Sequence, residues 1–125
     1  MEKATFQDLL ARKLQRENDK LKVKEISIPS MGKALLFKKP SDGSVVDVVG
    51  ATINSNDVQQ LYEAYKKVIY MTCDTLQNSE LHKELDIADP FDVVQALLEP
   101  TDIFEVGNQL MEFVGFEQVD EKVKN

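Results

Sequence analysis

"NSNDVQQLYEAYKKVIYMTC", residues 54–73, is the stretch that decides the fold. Val58, Leu61, Tyr62, Tyr65, Val68, Ile69 and Thr72 recur at steps of three and four, the spacing that gathers side chains on one helix face. Asn56 reads as the N-cap, with Asp57 in the first turn and Gln59 at the capping-box position. About 17 helical residues would span about 25 Å, so this segment is expected to be the central helix.

Downstream, the chain continues as helices. "SELHKEL" (79–85) predicts a short one capped by Ser79. "DPFDVVQALLEP" (89–100) has Asp89 as cap and Pro90 at the first helical position, where the missing proline N–H is not needed. Pro100 forces a break. "TDIFEVGNQLMEFVG" (101–115) then places Ile103, Val106, Leu110, Phe113 and Val114 along one side, with Gly115 as C-cap. Gly107 inside this helix costs about 1 kcal/mol relative to alanine, which points to close approach by a neighbouring backbone.

Upstream, "VKEISI" (23–28) and "KALLFKK" (33–39) flank Pro29-Ser30-Met31-Gly32, the composition of an antiparallel hairpin with its turn. The alternation falters near Glu25, which suggests a bulge. "PSDG" (40–43) reads as a second turn. Lys22, Lys24, Lys33, Lys38 and Lys39 would line one face or charge an edge. The valines of residues 44–54 favour a strand, but the segment is too short to assign. Residues 4–20 read as a helix with a narrow stripe of Phe6, Leu9, Leu10 and Leu14, and Leu21 one step on. Such a stripe suits either its own core or a surface outside the domain.

Together these features predict an α+β fold, mainly α, with an N-terminal β-hairpin packed against a C-terminal helical bundle. The 125 residues read as a single domain: helix 1–20, hairpin 21–43, bundle 56–115 and a frayed charged tail 116–125. The opening residues hold no apolar run of signal-peptide type, and no stretch reaches the ~18 apolar residues of a membrane span, so a cytoplasmic protein is expected. Charge is segregated. Residues 1–40 carry ten Lys/Arg against five Asp/Glu, and residues 41–125 carry five against seventeen, giving +5 and −12.

Catalytic constellations are not evident. Cys73 and His82 are the only cysteine and histidine, and no glycine-rich turn flanks the thiol. A lone cysteine at a helix end reads as packed core, and His82 in "ELHKEL" as facing solvent. Two such ligands are too few for a zinc site, the acidic "DIADPFD" lacks the spacing of a calcium loop, and the five glycines never cluster as in a phosphate loop. No enzyme activity and no cofactor is therefore expected. The basic first third offers a phosphate footprint, but it lacks interleaved aromatics and the chain as a whole is acidic. A protein-binding role fits better, with Phe91, Leu98, Phe104, Met111 and Phe113 as candidate partner-binding residues on the helices after residue 56.

"VKEISIPSMGKALLFKKPS" (23–41), "LYEAYKKVIYMTCDTLQNSELHKEL" (61–85) and "DPFDVVQALLEP" (89–100) resemble, in order and spacing, the XkdN-like family of phage tail assembly chaperones. Tyr70, Cys73, Leu76, Leu81, Asp89, Pro90 and Val93 carry the likeness, which runs from about residue 20 to 115 and leaves the opening helix aside. That family belongs to long-tailed phages and to prophages of Gram-positive bacteria. The resemblance implies a non-enzymatic chaperone in the host cytoplasm that binds the tape measure protein, with the tail tube protein as a further candidate partner. It leaves self-association open. The alternative is a small regulatory module that binds protein or nucleic acid through the basic N-terminal third.

Overall fold

The computed structural model describes residues 1–53 and 57–116, in which a two-stranded hairpin packs against helices. The elements run α1 (Phe6–Asp19), β1 (Val23–Ile28), β2 (Lys33–Lys38), α2 (Asp42–Ile53), α3 (Val58–Thr72), α4 (Ser79–Glu84), α5 (Asp92–Leu97) and α6 (Pro100–Phe113). The expected cap Asn56 and tail residues 117–125 lie outside the described residues.

Helix α3 is central, packing against α2, α5, α6 and β2. Its Tyr65, Val68, Ile69 and Thr72 are buried as the period requires, while Val58 at the start is exposed. Asp57 is the N-cap, its carboxylate accepting from Gln59 N at 2.9 Å. Lys66 is also buried. Its ammonium donates to Gln95 Oε1 at 2.7 Å, pairs with Glu63 at 3.2 Å and lies over the Tyr62 ring, so the stem can fill core space without stranding the charge.

The hairpin pairs in unbroken register from Val23 opposite Lys38 to Ile28 opposite Lys33, with no bulge at Glu25. Glu25 takes its ordinary outward place. The irregular residue is Lys24, which faces inward beside Ile26 and Ile28 and extends over the Phe113 ring. Gly32 closes the turn at φ +64°, the left-handed region that glycine enters freely. The lysines do not form one face: Lys22 pairs with Asp19, Lys38 with Asp74, and Lys24 lies under the sheet.

Residues 42–53 form a helix rather than the strand their valines favour. Ser41 starts it by accepting from Ser44 N at 3.2 Å, so "PSDG" is a helix entry and not a closing turn. Packing of the fully buried Val48 against α3 overrides β propensity.

Two further starts shift. Asn78, not Ser79, caps α4. Asp89 and Pro90 form a turn in which Asp89 accepts from Phe91 N, and α5 begins two residues later than expected. Pro100 does more than break the chain, because it is the first residue of α6. Gly115, at φ +93°, ends that helix, with Phe116 N donating to Met111 O. Gly107 does mark a close approach, but by a ring: an added Cβ would lie 2.3 Å from Tyr65 Cγ.

Asp102 ties the two layers together. This buried carboxylate accepts from Ser30 N at 3.0 Å, from Ser30 Oγ and from Glu99 N at 2.9 Å, so it caps α6 and clamps the hairpin turn. Burial alone would raise its pKa, but these donors outweigh that and hold it below the ordinary carboxylate range. Among the described residues no helix is long and apolar enough to cross a membrane.

Candidate partner-binding surface

Cys73 ends α3 with its side chain fully buried. Burial pushes its thiol pKa up, only partly offset by backbone N–H groups of Leu76 and Thr75 pointing at the sulfur. That is the environment of a protonated, packed thiol. His82 departs from expectation. It is half-buried, its Nε2–H donates to Leu76 O at 2.7 Å, and its ring stacks on Tyr70 at 6.1 Å. The reason is local: residues 74–77 turn back after α3, bringing the Leu76 carbonyl under α4. Among the described residues no group of three or more His, Cys, Asp or Glu side chains is placed to hold a metal ion.

The five residues singled out for partner binding divide. Leu98 and Met111 are 3% and 1% exposed and belong to the core, where a partner could reach them only by opening it. Phe104 is half-buried, its ring 6.0 Å from Tyr62 and 6.1 Å from Tyr65. Phe113 is half-buried beneath Lys24. Phe91 alone is open, 39% exposed, with its ring 4.8 Å from that of Tyr70. Helical spacing marks an apolar face but not how far the same chain already covers it, and here two of the five are core and two are half-buried.

An open apolar surface lies on α1. Thr5 and Asp8 form a reciprocal capping box, which defines the helix start independently of any packing. None of its residues is buried: Phe6 is 73% exposed, Leu9 62%, Leu10 47% and Leu14 62%. The side of α1 nearest its own domain is instead charged. Arg12, Arg16, Asp19 and Lys20 line a cleft of about 810 Å³ whose other wall is residues 39–43, Val45 and Val46 with Val114 and Phe116. Arg16 anchors the helix across this cleft, with Nη2 at 3.0 and 2.9 Å from the two Asp42 carboxylate oxygens. At 3.6 residues per turn the apolar stripe lies roughly 110° round from the cleft.

A surface helix ordinarily turns its apolar face inward. Helix α1 is reversed, held to its domain by an ion pair and offering Phe6, Leu9, Leu10 and Leu14 to whatever lies outside. One edge of that stripe carries Arg12, Arg16 and Lys20, the other carries the uncharged Gln7, Ala11 and Asn18, and Lys13 and Glu17, paired at 3.9 Å, lie within it. Of the two roles the sequence left open for this stripe, its own core is excluded. Comparison with protein-family models, with curated proteins and with solved structures returned no match.

Proposed function

We propose that this protein is a binding protein of the tail assembly chaperone kind, holding the tape measure protein soluble in the host cytoplasm until tail tube subunits polymerise around it. The observation that carries the binding role is the outward apolar stripe of α1, four large side chains from 47% to 73% exposed on a well-capped helix. The resemblance of about residues 20 to 115 to the XkdN-like family supplies the kind of client. A long helical client with apolar stripes aggregates when unassembled, and a binder that covers the stripes lowers the concentration of the exposed form. The acidic remainder of the chain, at −12, keeps the coated complex dispersed. The client surface is accordingly α1, with Phe91 as an outlying contact, and the helices after residue 56 serve chiefly as core.

Co-expression with the tape measure protein encoded beside it is the test. The client should stay in the soluble fraction with the wild-type chain and fall out with Leu10→Ser/Leu14→Ser. A client equally soluble with and without the chain would end this reading.

The cationic edge of α1 favours one competing reading, a regulatory module that binds nucleic acid. It calls for a salt-sensitive gel shift of DNA or RNA that Arg12→Glu/Lys20→Glu abolishes. Removing residues 1–40 would be uninformative, because Ile26, Ile28 and Phe37 are core.

A further inference from the structure

The cleft beside α1 holds positive charge that its own walls do not use. Four cations line it, Arg12, Arg16 and Lys20 on α1 and Lys39 on the facing wall, against the carboxylates of Asp19 and Asp42. Both carboxylates are already taken. Arg16 binds Asp42, and Lys22, which is not part of the lining, binds Asp19 at 3.0 Å. Lys22 first, then Lys39 and Arg12 at longer range, hold Asp19 below the ordinary carboxylate range, and Arg16 first, then Lys20 and Lys39, do the same at Asp42. The cations therefore converge on one space. Yet among the described residues Arg12, Lys20 and Lys39 form no ion pair, although Lys39 is half-buried and Arg12 donates to the neutral Gln15. Much of the remaining lining is apolar: Pro40, Val45, Val46, Val114 and Phe116, with Val46 68% and Phe116 42% exposed.

We infer that this cleft binds an acidic segment of a partner protein, one that alternates carboxylates with apolar side chains. The lining selects that chemistry. Cations without partners on both walls meet the carboxylates, and the valines with Phe116 meet the apolar side chains between them. A volume of about 810 Å³ is that of an ordinary ligand cleft. A nucleic-acid strand suits it less, because closely spaced phosphates would leave the apolar lining unused and run past Asp19 and Asp42. Lys20 and Lys39 stand on opposite walls, so an occupant held by both also bridges α1 to the body. Binding thus fixes a helix that buries no residue of its own. The site lies away from the apolar stripe, and it stands whether or not the client is a tape measure protein.

Fluorescence anisotropy on the full chain tests this, with a short labelled peptide alternating glutamate and leucine, in about 0.1 M salt. Binding should be saturable. Serine in place of the peptide's leucines, or glutamine in place of its glutamates, should weaken it about tenfold. Lys20→Gln/Lys39→Gln should weaken it about fivefold, and Lys20→Gln alone, at an exposed position, should show part of that loss. Lys67→Gln/Lys83→Gln removes equal charge from exposed positions outside the cleft and should leave binding unchanged. With the peptide at about ten times its Kd, hydrogen exchange at residues 12–19 should slow about tenfold. No saturable binding would overturn the inference. So would equal losses in the two double variants, or exchange in α1 that the peptide leaves unaltered. A single-stranded DNA oligonucleotide that binds more tightly than the peptide, with the same dependence on Lys20 and Lys39, would overturn it in favour of the nucleic-acid reading.

Discussion

Asp102 shows how one side chain can carry long-range order. It is an acid in the first turn of a helix, an unexceptional helix-start residue by sequence, yet it accepts from the hairpin turn 72 residues away. Asp102→Asn should cost about 1–3 kcal/mol at neutral pH, because the amide NH2 would meet N–H donors that now point at a carboxylate. The folded-state pKa is depressed, so the carboxylate's contribution is present above the ordinary carboxylate range and is lost as pH falls through the folded value. Urea melts of the two proteins should therefore differ most near neutrality and converge in acid. At Gly107 the opposite logic holds. Alanine there would gain about 1 kcal/mol of helix propensity, but its Cβ would overlap the Tyr65 ring. Because that ring is fixed by its hydroxyl donating to Asn108 at 2.7 Å, Gly107→Ala should be net destabilising by about 1–3 kcal/mol in the same melt.

Elements differ in what holds them. The buried face of α6, with Ile103, Val106 and Leu110 at 0% exposure, is stabilised by packing. Ile103→Ala should cost about 2–5 kcal/mol in a thermal or urea melt. Helix α1 is held by its capping box and by ion pairs at its surface, Arg16–Asp42 among them, and such pairs contribute little in water. Leu10→Ser/Leu14→Ser should leave monomer stability within about 0.5 kcal/mol of wild type per site. A loss as large as that of Ile103→Ala would mean that the stripe packs at home. Element boundaries follow the same division. Asp57 and Thr5 cap where local chemistry places caps, whereas α2 forms because Val48 has a core to enter.

At the scale of the molecule, a packed body of hairpin and helices carries one reversed helix at its basic end. A free helix of 14 residues is marginal in water, so α1 should open far more readily than the body. Hydrogen exchange on dilute protein should show the amides of residues 9–19 exchanging at least tenfold faster than those of α3 and α6. Equal protection would contradict the absence of buried side chains on α1. The layout of charge follows the same plan, since the +5 portion includes the helix that faces outward and the −12 portion the helices that surround the core.

The amino-acid sequence by itself determined the hairpin, the central helix and the packed state of Cys73. Each rests on local physics: period of hydrophobicity, turn composition, and the burial preference of a thiol without a partner. It also located the stripe on residues 6–14, though not which way that stripe turns. Only tertiary structure decided that α1 faces outward, that Leu98 and Met111 are core, that residues 42–53 are helical and that His82 is tied to Leu76. The physical reason is common to all four. A face is apolar by sequence, but whether it is covered depends on which other segments reach it, and that information is distributed over the whole chain.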